Sequence, residues 1–160
     1  MASATRLTGG CQCGAVRFRA ERLGRASICH CRMCQKAFGA FFGPLVTAYG
    51  VVWTRGAPSH FQSSNVVRRG FCERCGTPLT YEYDGGTELA IGAFDDPRVA
   101  APSIQVNPAD LLPFVDGLSR LPFRGAGDEP EAENFLRGVV SHQHPDHDTA
   151  VWPPEGARHD

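Results

Sequence analysis

The stretch Ile28-Cys29-His30-Cys31-Arg32-Met33-Cys34 packs three thiols into a C-x-C-x-x-C pattern. Upstream, Gly10-Cys11-Gln12-Cys13-Gly14 carries a C-x-C pair, and downstream Phe71-Cys72-Glu73-Arg74-Cys75-Gly76 carries a C-x-x-C pair. Together they hold all seven cysteines of the chain. Four sulfurs in two close pairs are what a closed tetrahedral zinc site requires, and three are what a zinc site with a free fourth position requires. The spacing therefore predicts two zinc ions per chain. Cys11, Cys13, Cys72 and Cys75 are read as ligands of a structural ion, and Cys29, Cys31 and Cys34 as ligands of a catalytic one. Seven thiols cannot all pair as disulfides, whereas four plus three leaves no remainder. The same residues also admit one structural zinc beside unrelated thiols, or one zinc with mixed ligands, and the trio could share ligands with either pair.

Around these clusters the composition is that of an ordinary globular chain. It has 160 residues, 42% apolar and 21% charged, with a formal net charge of -1. That balance argues against bulk electrostatic binding to nucleic acid or membrane. The N-terminus, Met1-Ala2-Ser3-Ala4-Thr5-Arg6-Leu7, lacks an apolar core of signal-peptide length, and Gly43, Pro44 and Gly50 interrupt the longest apolar run. A cytoplasmic location is expected, where clustered cysteines serve more often as metal ligands than as disulfides. Oligomeric state is not legible.

The pattern along the chain predicts a mainly β fold with short helical turns. Residues 15–20, 25–29, 41–46, 51–54, 60–62, 66–71, 79–83, 88–93 and 103–106 read as short strands separated by turn residues. Asp84-Gly85-Gly86 is a hairpin turn, and residues 32–38 suit one or two helical turns. From Gly125 the composition becomes acidic and then rich in Pro, His and Asp. Residues 1–124 are accordingly read as the zinc-binding domain and 125–160 as a C-terminal extension with an apolar anchor at Phe135-Leu136 and Val139-Val140.

The two ligand sets imply different chemistry. An ion binding both outer pairs would clamp the first strand to a later hairpin, closing a long loop. Three thiolates leave their zinc complex with a formal charge of -1, a weak electrophile suited to holding a substrate thiol as thiolate. Nearby cations would balance that charge, and Arg32, Lys36, Arg68 and Arg69 are the candidate substrate-binding residues; each also reads as an ordinary solvated charge. His30, between two ligands, is expected to point away from the metal.

These residues resemble the glutathione-dependent formaldehyde-activating enzyme family. The likeness is carried by Gly10-Cys11-Gln12-Cys13-Gly14 with Val16-Arg17-Phe18, and by Cys29-His30-Cys31-Arg32-Met33-Cys34 with Gly39-Ala40. Arg69-Gly70-Phe71-Cys72-Glu73-Arg74-Cys75-Gly76 and Gly92-Ala93-Phe94-Asp95-Asp96-Pro97 complete it, over about residues 8–124. The resemblance implies small antiparallel sheets in a β-tent around a structural zinc, with the same four-and-three division of cysteines. It implies a carbon-sulfur lyase-type enzyme joining glutathione or a similar thiol to formaldehyde or another small aldehyde. Ser103-Ile104 and Leu112-Pro113-Phe114 depart from the family's usual His-Ile and Pro-Trp, which leaves room for a different thiol adduct. The family also includes a non-enzymatic centromere-associated protein, so a zinc-stabilised protein-binding module is the rival reading.

One further motif stands in the tail. His142-Gln143-His144-Pro145-Asp146-His147 looks like the H-x-H-x-D-H metal signature of two-metal hydrolases. Nothing upstream supplies that fold's other ligands, so a solvated His-rich end or a stray-metal site is expected instead.

Overall fold

The computed structural model describes residues 7–153. Ten strands form two sheets. Strands β1 (Thr8–Gly10), β2 (Arg17–Arg19) and β5 (Val52–Arg55) make a small antiparallel sheet in the order β1-β2-β5. The larger sheet runs β10-β3-β4-β9-β8-β7-β6, from β3 (Arg22–Cys29), β4 (Gly43–Tyr49), β6 (Ser59–Gln62), β7 (Val67–Phe71), β8 (Pro78–Tyr83), β9 (Gly86–Ala90) and β10 (Ile104–Val106). Its pairings are antiparallel except β10 against β3, where Val106 lies beside Cys29 in parallel. The strand read at 103–106 is thus present as β10, and its parallel pairing departs from the antiparallel sheets that the resemblance implies.

The period-two rule explains how the larger sheet serves two purposes. Val46 and Leu89, paired across β4 and β9, are fully buried in the main core with Leu79 and Phe18. Phe18 reaches that core from the small sheet, with its ring edge-on to Phe94 at 5.1 Å and Trp53 at 6.1 Å. Burying one such aromatic side chain contributes roughly 2–3 kcal/mol. The neighbours of Val46 and Leu89 face the other way: Leu45, with Cys29 and Cys34, belongs to a separate small apolar cluster against which Tyr81 and Val106 pack.

Helix α1 (Arg32–Phe38) sits against that second cluster. Its N-cap is Cys31, whose sulfur accepts from the Cys34 N–H at 3.4 Å, and Gly39 ends it in the left-handed region at φ 57°. The strand expected over 88–93 stops at Ala90 and continues as a 3-10 turn over Ile91–Ala93.

The C-terminal extension contains helix α2 (Pro130–Arg137), with Pro at its start, Glu131 and Glu133 in the first turn and Arg137 in the last. The proposed anchor residues Phe135, Leu136, Val139 and Val140 are all exposed. The contacts that tie the extension down are polar and come later. His144 is buried, its N–H donating to the Gln12 carbonyl at 2.7 Å, and Trp152 donates from Nε1 to the Cys13 carbonyl at 2.7 Å. Arg55 bonds the Gly14 carbonyl, the His144 ring and Thr149. Among the described residues, no helix is long and apolar enough to cross a membrane.

Candidate metal centres and the pocket beside them

The outer cysteines come from two turns that the fold brings face to face. In the first, Gly14 donates its N–H to the Cys11 carbonyl at 3.0 Å and adopts φ 80°; in the second, Gly76 donates to the Cys72 carbonyl at 2.8 Å with φ 77°. Positive φ favours glycine at both places. A Cβ on Gly14 would also lie 2.2 Å from the His144 ring, so the tail depends on that glycine twice over. The sulfurs of Cys11, Cys13, Cys72 and Cys75 all lie within 4.8 Å of one another. Cys11 and Cys13 are 3.6 Å apart and Cys13 and Cys72 3.9 Å. A tetrahedral zinc-thiolate site has sulfur-sulfur edges of about 3.8 Å. The four residues fit such an ion, and Cys11 and Cys72 are built into the main core.

The electrostatics suit a bound cation. Burial pushes the Cys11 thiol far up, while Cys75, despite burial, is drawn down to about 6, chiefly by hydrogen bonds with Thr77. A cluster that mixes a ready thiolate with thiols held protonated by desolvation is stabilised by a bound metal charge.

The trio meets the same test. Cys29, Cys31 and Cys34 have sulfurs within 4.8 Å of one another, with Cys29 and Cys31 3.3 Å apart. Cys29 ends β3, Cys31 caps α1 and Cys34 is one turn along it, so one strand end and one helix start fix all three. Burial pushes Cys34 up to about 12 against the pull of Arg69, whose Nη2 donates to its sulfur at 3.3 Å. Cys29 is lowered: burial opposes this, but the Asn107 amide donating at 3.1 Å and Cys31 outweigh it. All seven cysteines are free thiols.

Two groups outside the predicted set hold this arrangement. Asn107 is the one non-glycine among the described residues with positive φ, at 57°, and that backbone turn aims its amide at Cys29. Gln35 is buried under α1, donating to the His30 carbonyl at 2.7 Å and the Asp110 carbonyl at 2.9 Å. The Asn-Pro pair at 107–108 signals a turn in the sequence, but nothing there says the turn faces a cysteine. His30 turns away from the sulfurs as expected. It is buried, with Nε2 at 2.8 Å from the Gln105 side-chain oxygen and Nδ1 without a partner.

The four candidate cations divide. Arg69 is buried, bonded to Cys34 and to Ser63, and stacked over Tyr81 at 4.9 Å. Arg32 and Lys36 are exposed and line an adjoining groove of about 520 Å³ with Met33 and Phe61. Arg68 is not brought to the trio. It points to the opposite face of β7 and pairs with Glu82 at 2.6 Å.

The trio opens on a pocket of about 440 Å³, whose walls include Arg69, Tyr81, Glu88, Arg25 and Asn107. The outer four, by contrast, lie beneath the tail residues described above. Of the His-rich motif, His144 is engaged with Gln12, Arg55 and Thr149, and the described residues offer two groups able to hold a metal ion, both cysteine clusters. Among the described residues, the tail histidines join neither group.

A model of the glutathione-dependent formaldehyde-activating enzyme family matches residues 6–109, more than half of the chain. No curated protein matches it.

Proposed function

We propose, from the premise that the chain belongs to the glutathione-dependent formaldehyde-activating enzyme family, that it joins a thiol to a small aldehyde at the three-cysteine cluster. Glutathione and formaldehyde are the pair the family description names. The observation that carries this reading is the opening of Cys29, Cys31 and Cys34 onto a pocket of about 440 Å³, while Cys11 and Cys72 lie in the core with Cys13 and Cys75 packed against it. Both clusters suit zinc, the outer one as a structural ion.

Zinc held by the trio would supply a Lewis-acid site at which a substrate thiol ionises near neutral pH. The protein's own groups do the rest. Arg69, fixed by Ser63 and stacked on Tyr81, places a positive charge against Cys34 and offsets the negative charge of the thiolates. Asn107 holds the Cys29 sulfur from the side of β10, and Gln35 ties the start of α1 to the loop at Asp110. The half-buried wall of Tyr81 and Val106 limits water around the reacting sulfur. In the reaction a sulfur-carbon bond forms, the carbonyl π bond opens, and the proton lost by the thiol ends on the new hydroxyl. Orientation of sulfur against carbon is the main contribution asked of the protein.

Consumption of formaldehyde in the presence of glutathione tests this. The zinc-loaded protein should accelerate it over the spontaneous reaction, and Cys31→Ser should remove the acceleration. Equal rates for the two proteins would end the enzymatic reading for this substrate pair.

A further inference from the structure

The far side of the trio's pocket holds charges that the chemistry above does not use. Arg69, Tyr81, Glu88 and Thr47 are direct partners in one row across β7, β8, β9 and β4. The row begins at the arginine that touches Cys34 and reaches, past the Tyr81 ring, the Glu88 carboxylate before ending at Thr47. Glu88 is only partly exposed and forms none of the salt bridges among the described residues. Burial raises its carboxyl, while Arg25 and a hydrogen bond from Thr47 pull the other way. Arg25 lines the same pocket from β3 and is exposed at its rim.

A half-buried carboxylate without a bonded cation is costly for a fold unless something fills the place. Here a guanidinium stands near it without closing on it, and the two together present opposite charges to the pocket. We propose that Glu88 and Arg25 recognise the amino-acid head group of the thiol substrate, Glu88 accepting from its ammonium and Arg25 donating to its carboxylate. This rests on the thiol-aldehyde reading and adds to it which end of the substrate is selected.

The spacing sets a length. Two inter-strand steps, about 10 Å, separate Glu88 from Arg69 along the row. The ammonium must therefore stand several bonds from the sulfur, as it does when the thiol is carried on a short peptide. The Tyr81 and Tyr83 rings, 5.9 Å apart, line the path between the two ends.

Calorimetric binding to the zinc-loaded protein, with no aldehyde present, tests the assignment. The probes are glutathione, glutathione acetylated on its α-amine, and 3-mercaptopropionate, which has no amine. Glutathione should bind about tenfold or more tightly than its acetylated form, as expected for one charge-assisted hydrogen bond. In Glu88→Gln that ratio should fall to near one, with mercaptopropionate binding unchanged as a check that the sulfur site is intact. A ratio near one in the wild type, or one that survives in Glu88→Gln, overturns the assignment and leaves the thiol reading standing. Failure of all three thiols to bind overturns the thiol reading, and the head-group site with it.

Discussion

Cys11 and Cys72 are packed among Phe18, Leu79 and Leu89, with their turns covered by His144 and Trp152, whereas Cys29, Cys31 and Cys34 look out between Arg69, Asn107 and Tyr81 into a cavity. The side chain is the same in both places. What differs is the number of sulfurs and the groups around them. Four sulfurs complete a tetrahedron and leave the ion nothing further to bind; three sulfurs with a buried arginine and an open pocket leave it a guest. On the function proposed above, ligand count and cover, more than ligand type, separate the two sites.

The strongest way to break that contrast is to remove the outer ion. A structural zinc site contributes on the order of 10 kcal/mol, comparable to a domain's whole stability. Cys72→Ser should therefore abolish the cooperative thermal transition seen by circular dichroism. Cys31→Ser should lower zinc content from about two ions per chain to about one, by metal analysis, while shifting the melting temperature by no more than several degrees. If the two substitutions unfolded the protein equally, the division of labour would be wrong.

Finer tests act on the surroundings. Arg17 is buried and bonds both Asp95, at 2.6 Å, and Asp148, at 2.8 Å, tying the first sheet to the tail. Burial raises the Asp95 carboxyl, but Arg17 and Thr8 outweigh it and hold it below the usual carboxylate range. Its contribution is thus complete above the unfolded value of about 3.9 and lost as pH falls through the folded one. Asp95→Asn should cost about 2–3 kcal/mol at pH 7 in denaturant unfolding, with the gap to wild type closing below about pH 4.

Arg69→Leu should weaken metal binding at the trio about 10–100-fold in a chelator competition and leave the outer ion untouched. The smallest effect is expected of Trp152→Ala, which loses the bond to the Cys13 carbonyl and the stacking of Arg74 on the indole at 5.1 Å. A cost of about 1 kcal/mol, with faster release of the outer ion to chelator, would show that the tail protects that site.

Sequence reading reached the clusters because metal ligands are written locally, as pairs on tight turns whose glycines are equally local. Helix α1 was legible as a short helical stretch at 32–38, but its framing by Cys31 and Gly39 came only with the structure. What escaped depended on distant partners. Nothing in Val106-Asn107-Pro108 tells that β10 returns beside β3 and brings an amide to Cys29. Glu88 and Tyr81 read as ordinary strand residues until the register sets them in one row with Arg69. In the tail, apolar residues drew attention as anchors, but Phe135 and Val140 stay in solvent and His144 does the docking. A polar anchor is invisible to a hydrophobic pattern because its worth lies in the carbonyls that it meets.

The covering of the first turn by the last described residues bears on how the protein is made. Cys13 and Cys72 are separated by 59 positions. At roughly 5–20 residues per second on the ribosome, the leading thiols wait about 3–12 s for their partners. His144 and Trp152 emerge some seconds later still. The nascent chain thus presents an unfinished chelate during elongation, and the residues that cover it are among the last to be translated.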